Sequence, residues 1–151
     1  MSKPVRGALT VRGVHPIFRG MSFKCVLVTP EQQVLDETVT QAIVPAHDGQ
    51  VGILTGRSPI LMKLGTGSLR VDLANGQKRF FFVDGGVAQM KDNKLTILST
   101  DAAPAASISA ETARAEYAEA EARKPTDAKT TAERAHQMAR ARAKQALAGR
   151  K

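Results

Sequence analysis

The stretch LRVDLANGQKRFFFV, residues 69–83, gives the clearest indication of the fold. Apolar and polar side chains alternate over residues 69–73, which is the period of a strand with one buried face. Asn75 and Gly76 follow, and this dipeptide suits a tight hairpin turn because both residues tolerate positive φ. Residues 79–83 then return as a buried strand that contains three consecutive phenylalanines. The stretch therefore predicts an antiparallel β-hairpin.

Short strands are predicted on both sides of this hairpin. Phe23, Cys25 and Leu27 share one face of the first strand, and residues 94–98 form the last strand. Turn signals separate the strands at Asp48-Gly49, Gly85-Gly86 and Asp92-Asn93. Many short strands at this spacing are typical of a sandwich or a barrel. We predict an antiparallel β-sandwich over residues 21–104.

After residue 104 the composition changes abruptly to Ala, Glu, Arg and Lys, with no Val or Phe. Ser107 and Ser109 are candidate N-caps for a helix that runs to about Arg123. Pro125 ends that helix because proline cannot continue one. The predicted fold class is therefore α+β, a sandwich followed by an antiparallel two-helix hairpin over residues 105–151.

The second helix has two candidate starts. Thr126 or Asp127 can cap it, and a capping box of Thr130 with Glu133 offers a later start. The helix is expected to end where Gly149 follows it.

Alanine stripes at helical spacing are expected to pack the two helices together. Their members are Ala110, Ala113, Tyr117 and Ala120 on the first helix, and Ala128, Ala132, Ala135, Ala139, Ala143 and Ala146 on the second. Burial stabilises by about 25 cal/mol per Å², and an alanine buries little surface. The hairpin is therefore expected to be displaced easily from its docking surface.

The net charge of +8 lies mainly on the two ends of the chain. Residues 1–20 hold four cations and no anions and are predicted to be a flexible basic tail, with Met21 as a second candidate start of translation. Residues 21–100 hold eight cations and seven anions. A nucleic-acid reader usually carries a basic stripe on its folded domain, so nucleic acid is not a predicted partner. No apolar run approaches the roughly 20 residues of a membrane span, and no membrane insertion is predicted.

Catalytic chemistry is not indicated by any motif. The phosphate-binding loops, the Gly-x-Ser-x-Gly elbow and the HExxH motif are all missing. His15, His47 and His136 lie in separate segments without metal-ligand spacing, and we expect them to be solvent-exposed or to lie in loops. Cys25 is the single cysteine and is predicted to be a buried structural thiol. We therefore predict no catalytic residues, no cofactor and no metal.

The segment DGQVGILTGRSPIL, residues 48–61, resembles the central signature of the epsilon subunit of F-type ATP synthases. In that signature an acidic-Gly turn leads to Gly-Ile-Leu and then to Gly-His-x-Pro-Leu-Leu. Further segments resemble the family in the same order: VTPEQQVL at 28–35, GTGSLRV at 65–71, VDGGVAQM at 83–90 and LTIL at 95–98. The resemblance covers residues 23–123 in order and the second helix in character.

The resemblance implies a non-catalytic subunit of the rotor, or central stalk. Its sandwich would join the gamma subunit to the c-ring, and its helices would reach the alpha/beta catalytic hexamer and regulate ATP hydrolysis. The protein would then be peripheral, at the cytoplasmic face of the cell membrane. The coupling ion is chosen in the c-ring, so a sodium-driven or mitochondrial homologue fits the same residues.

The resemblance also implies two sets of site residues. The candidates for contact with the c-ring and gamma are His47, Asp48, Gly49, Gln50, Arg57 and Ser58. The candidates for contact with acidic segments of a catalytic partner are Arg134, Arg140, Arg142 and Lys144. Arg57 stands where the family usually has His, so no role in imidazole titration is carried over.

Some family members bind ATP through Ile/Leu-Asp-x-x-Arg-Ala at the start of the first helix. Here Ser109 follows Ile108 in place of the Asp, and Thr112-Ala113 replaces Arg-Ala. No nucleotide is therefore predicted. The residues by themselves also fit a second class of protein, a free-standing β-sandwich adaptor whose basic helical arm binds acidic partners or RNA.

Overall fold

The structure is a computed structural model that describes residues 22–56 and 59–150. The predicted basic tail, residues 1–20, lies outside the described residues. Arg57 and Ser58, two of the predicted contact residues, also lie outside them.

Within the described residues, nine strands precede two α-helices. The strands are β1 (Phe23–Val28), β2 (Gln33–Ala46), β3 (Gly49–Leu54), β4 (Ile60–Lys63), β5 (Thr66–Leu73), β6 (Lys78–Asp84), β7 (Val87–Lys91), β8 (Lys94–Leu98) and β9 (Asp101–Pro104). A short 3₁₀ helix (Ala105–Ser107) leads into α1 (Ala110–Ala122) and α2 (Ala128–Leu147). The predicted fold class, a β-sandwich followed by a two-helix hairpin, is confirmed.

The long strand β2 connects the two layers of the sandwich. The hydrogen-bonded order is β4-β7-β8-β1-β2-β5-β6-β9, and β3 pairs separately with β2. Phe23 to Leu27 of β1 pair with the first half of β2, whereas β5 and β3 pair with its second half. The register of β2 against β5 shifts between Val39 and Gln41, where β2 passes from one layer to the other.

The core lies between the layers and follows the predicted alternation of β1. Phe23, Cys25 and Leu27 all point inward and are at most 2% exposed. Burial raises the pKa of the Cys25 thiol to about 12, so the thiol stays protonated and unreactive at neutral pH. The prediction of a buried structural cysteine is confirmed.

The hairpin of residues 69–83 forms as predicted, but its turn is longer than two residues. Leu69 pairs with Phe81 and Asp72 with Lys78, which leaves a loop between β5 and β6. Only Gly76 in that loop has positive φ, at 93°. The two-residue turn with positive φ at both positions occurs instead between β7 and β8, at Asp92 and Asn93.

The helix caps agree with the sequence in part. Ser109 caps α1, and its side chain accepts a hydrogen bond from the backbone N–H of Thr112. Asp127 caps α2 in a capping box with Thr130. The predicted later start of the helix, with Thr130 and Glu133 as capping box, is therefore wrong, because the Thr130 hydroxyl accepts a hydrogen bond from the backbone N–H of Asp127.

The alanine stripe predicted for α2 is wrong. Its members from Ala128 to Ala139 are exposed, and the buried residues of α2 are Ala141 and Leu147. On α1 the stripe is largely right, with Ala113 and Ala120 buried. Alanine occurs on every face of α2, so its spacing could not decide which face packs.

We predict that Gly86→Ala destabilises the sandwich by at least about 3 kcal/mol. Gly86 has φ of 107°, and an added Cβ would overlap the Leu98 carbonyl oxygen and lie 2.8 Å from Cα of Ser99. Urea unfolding of the full chain measures the change in the free energy of unfolding. Gly76→Ala is the matched control, because its φ is also positive but its Cβ would meet no atom within 4 Å. The control is expected to cost about 1–2 kcal/mol, and equal losses in both variants would contradict the prediction.

Candidate functional site

Asp84, at the end of β6, accepts hydrogen bonds from two different parts of the chain. Its side chain is 6% exposed. The Thr66 hydroxyl on β5 donates to Asp84 Oδ1 at 2.7 Å. His136 Nε2 and Arg140 Nη1, both on α2, also bond its carboxylate, the former at 2.8 Å. The nearly buried carboxylate thus connects the sandwich directly to the second helix.

Arg140 extends this group to a second carboxylate. Its Nη2 donates to Asp101 Oδ2, at the start of β9, over 2.8 Å. The guanidinium carbon also lies 5.5 Å from the centre of the Phe82 ring. We call Thr66, Asp84, Asp101, His136 and Arg140 the Asp84 cluster.

The electrostatics of the cluster keep Asp84 ionised. Burial alone would raise the pKa of the Asp84 carboxyl, but hydrogen bonds from His136 and Thr66, together with the guanidinium of Arg140, hold that pKa below its ordinary value. Burial lowers the pKa of Arg140, but its hydrogen bonds to Asp101 and Asp84 outweigh this effect and raise the pKa. Both groups therefore carry full charge at neutral pH.

An apolar contact holds the other end of α2. Leu147 packs with Phe82 and Ala105 in a small cluster that is separate from the main core. Its partly buried members are Phe80, Ile108 and Ala143. The cationic groups of Lys144 and Arg150 lie 5.2 and 5.0 Å from the rings of Phe82 and Phe80, respectively.

The predicted basic residues of α2 all have partners inside the chain. Arg134 donates to the Glu121 carbonyl oxygen at 2.9 Å. Arg142 donates to the Tyr117 hydroxyl at 3.2 Å, and Lys144 pairs with Glu116 at 3.1 Å. Arg140 belongs to the Asp84 cluster. The docked hairpin therefore uses the same cations that the sequence assigns to an external partner.

The outer face of the layer β4-β7-β8-β1 carries an apolar band. The strand registers align two rows across it, Leu61-Gln89-Thr96-Val26 and Lys63-Val87-Leu98-Val28. Leu61 is 68% exposed, Leu98 49% and Val87 39%. We call Val28, Leu61, Val87 and Leu98 the apolar face; Val26, in the first row, is only 8% exposed.

Lysines border the apolar face. Lys63 ends one row, and Lys91, Lys94 and Lys24 align across β7, β8 and β1. The hairpin packs against β5 and β6, so it does not cover this surface.

The predicted contact residues fall into two groups. His47 and Asp48 form the turn between β2 and β3, and Gly49 and Gln50 begin β3. Arg57 and Ser58 follow β3 in the chain but lie outside the described residues, so only the first four candidates can be located. The turn is held by a hydrogen bond from the His47 N–H to the Lys63 carbonyl oxygen, at 2.9 Å.

Sequence reasoning missed most of the Asp84 cluster. His136 is exposed as expected, at 54%, but its hydrogen bond to Asp84 was not foreseen. Thr66, which begins β5, was not a candidate site residue. The available signal was Asp84 itself, an acidic residue directly after an apolar strand of three phenylalanines and a valine.

Among residues 22–56 and 59–150 no group of three or more His, Cys, Asp or Glu side chains could hold a metal ion. At the start of α1 the Ser109 hydroxyl is used as a helix cap. No helix in the described part of the chain has the length and apolarity that a membrane crossing needs.

Similar proteins are ATP synthase subunits. The chain is 42% identical over 84 residues to the ATP synthase epsilon chain of Rhodopirellula baltica, a match covering 56% of this chain and 65% of the relative. It is 37% identical over 103 residues to the epsilon chain of Nostoc punctiforme, covering 68% and 75%.

Solved structures share the fold. A chain of the Euglena gracilis mitochondrial ATP synthase, solved with OSCP, F1 and c-ring, superposes with a TM-score of 0.75 at 20% identity. The superposition covers 97% of this chain and 89% of that one. The family model for the ATP synthase delta/epsilon chain β-sandwich domain matches residues 22–105, more than half of the chain. The chain therefore belongs to the ATP synthase delta/epsilon chain family, as its resemblance to the epsilon subunit predicted.

Proposed function

We propose that the protein is a non-catalytic rotor subunit of a proton-translocating F-type ATP synthase. It joins the gamma subunit to the c-ring and regulates ATP hydrolysis through its helical hairpin. The observation that carries this proposal is the family's sandwich domain with two unlike outer faces, one covered by the hairpin and the other carrying the apolar face. The complex makes ATP from ADP and phosphate, and this subunit supplies structure and control.

The apolar face is the proposed docking surface for gamma. Exposed leucine and valine side chains on adjacent strands favour a partner that removes them from water. The rigid, hydrogen-bonded sheet beneath them can transmit torque without yielding. The bordering lysines favour a gamma surface with an apolar centre and acidic edges.

The turn of His47 and Asp48, together with Gly49, Gln50, Arg57 and Ser58, is proposed to meet the c-ring and gamma. The turn is polar and suits the polar loops of a c-ring. Its backbone is fixed to β4 by the bond between His47 and Lys63, and the Gly65 N–H donates to the Pro45 carbonyl oxygen at 2.7 Å. A fixed turn loses little conformational entropy on binding.

Regulation is proposed to depend on the basic residues of α2. Arg134, Arg140, Arg142 and Lys144 are engaged inside the docked hairpin. The hairpin is proposed to leave the sandwich and extend along gamma as a unit. Arg140 is then freed for acidic segments of the alpha/beta catalytic hexamer, whereas Arg134, Arg142 and Lys144 bind there only if they exchange their partners in α1. The protein acts at the cytoplasmic face of the cell membrane as a peripheral part of the complex. The internal pairing of these cations gives no support to the adaptor that binds RNA.

We predict that Leu61→Ser weakens binding to purified gamma at least about tenfold, because Leu61 is the most exposed large apolar residue among those described. Calorimetric titration measures the dissociation constant. The free energy of unfolding of the isolated subunit should stay within about 0.5 kcal/mol. Leu54→Ser is the matched control, since Leu54 is 53% exposed but lies on β3, off the apolar face. Equal affinity for the native chain and Leu61→Ser would count against this docking surface.

Charge reversal by Arg57→Glu is predicted to weaken assembly with the c-ring and to reduce the coupling of proton flow to ATP synthesis. The reason is that a carboxylate would replace a cation at the proposed interface. ATP synthesis per proton translocated in reconstituted vesicles is the measurement. Lys78→Glu, an exposed reversal at the start of β6, provides the control. Unchanged coupling with Arg57→Glu would argue that this residue makes no such contact.

Deletion of residues 105–151 is predicted to raise ATP hydrolysis several-fold in the assembled complex. The deletion removes the basic helix that is proposed to block the catalytic subunits. Hydrolysis is measured after confirming that the shortened chain is retained in the complex. If retention is complete and the rate does not change, the hairpin is a passive clamp and not an inhibitor.

A further inference from the structure

We propose that Arg140 exchanges carboxylate partners, and that Asp84 is the internal competitor which determines how often the hairpin leaves the sandwich. In the docked state Arg140 binds Asp84 and Asp101; in the extended state the same guanidinium binds an acidic segment of a catalytic subunit. The inference rests on the proposed regulatory function and identifies its controlling residue.

The contacts of α2 with the sandwich occur at two separated places. His136 and Arg140 bind Asp84 near the middle of the helix, and Leu147 packs against Phe82 near its end. The apolar contact is small because only Leu147 contributes a large fully buried side chain from α2. The Asp84 cluster therefore supplies a large share of what holds the helix.

The surroundings of Asp84 allow α2 to leave the sandwich and return to it. Apart from two hydroxyl residues, Thr29 and Ser99, it is the only buried polar or charged residue among those described. Departure of α2 would remove both its helical partners and would also expose the carboxylate to water. The Thr66 hydroxyl, which belongs to the sandwich, would remain bonded to it. No unpaired buried charge would be left, so opening would avoid the large cost of stranding one.

Arg140 differs from the other cations of α2 in what it binds. Arg134, Arg142 and Lys144 bond to residues of α1, so they keep these hydrogen-bond partners when the hairpin moves as a unit, although Lys144 would lose its contact with the Phe82 ring. Only Arg140 spans from the hairpin to two carboxylates of the sandwich. Undocking therefore frees the Arg140 guanidinium in particular. Because this planar group already binds two carboxylates, it can bind another pair of acidic side chains.

Substitutions on the two sides of the contact between Asp84 and Arg140 are expected to change ATP hydrolysis by the complex in opposite directions. Asp84→Asn weakens the docked state and leaves Arg140 intact, so the hairpin extends more often and ATP hydrolysis falls. Arg140→Ala also weakens the docked state but removes the group that binds the catalytic partner, so hydrolysis rises. A merely structural contact would give both variants the same direction of change.

Docking is measured first in the isolated full-length chain. Labels on Lys78→Cys and Lys129→Cys report the distance between the sandwich and α2, and the fully buried Cys25 stays unlabelled. Asp84→Asn and Arg140→Ala are each expected to increase the open population at least about tenfold, because hydrogen bonds to charged groups are lost. An open population equal to that of the native chain in both variants would overturn the proposal.

Matched control variants distinguish loss of the contact between Arg140 and Asp84 from a general loss of stability. Arg142→Ala removes a neighbouring arginine that bonds only within the hairpin, and Asp72→Asn removes a carboxylate that pairs with Arg70. Both should leave the docked population unchanged. Asp101→Asn, which removes only one bond of Arg140, should shift the population in the same direction as Asp84→Asn by a smaller factor. This variant tests the proposal even if Asp84→Asn fails to fold.

Hydrolysis is then measured in the assembled complex with each variant. Opposite changes for Asp84→Asn and Arg140→Ala support the exchange, and changes of the same sign overturn it. The chain lacking residues 105–151 is run in parallel. If that deletion raises hydrolysis but Arg140→Ala does not, the exchange is wrong and the proposed regulation stands. If the deletion changes nothing, the proposed regulation itself is wrong.

Discussion

Phe81 and Phe82 are adjacent on β6, so their side chains point to opposite faces of the sheet. Phe81 enters the main core, whereas Phe82 faces outward and would be in water unless another element covered it. The second helix provides that cover with Leu147, Ala143 and the cationic groups of Lys144 and Arg140, which lie over the Phe82 ring. The position of the hairpin, and with it the Asp84 cluster, follows from this need to cover the outer face of β6.

The hairpin is held by contacts of unequal strength. Its helices meet along a seam of small residues, where Ala113 and Ala120 are buried. Its attachment to the sandwich combines one leucine contact with a charged cluster whose members can all be hydrated after release. Under the proposed function, such an attachment would populate the docked state and still yield to a competing partner. Packing of this kind suits a regulatory element better than a permanent part of the core.

The two outer faces of the sandwich differ in their chemistry. The face of β5 and β6 is matched to the basic helix, with Asp84 and Asp101 opposite Arg140. The face of β4, β7, β8 and β1 presents exposed Leu61 and Leu98 between lysines. One domain can therefore bind a movable helix on one side while a rigid partner occupies the other. Under the proposed function, assembly and regulation would use different surfaces of the sandwich.

The sequence by itself determined the strands, the hairpin at residues 69–83, the break at Pro125 and the family, because these depend on local alternation, turn residues and ordered motifs. It also indicated Ser109 and Asp127 as caps, since a cap is a contact within one helical turn. The tertiary structure alone decided which face of α2 is buried and which residues join Asp84. Alanine is found all around α2, so its periodicity carried no directional information. Thr66, Asp84 and His136 are far apart in the chain, and only the closure of the sheet and the docking of the helix bring them together.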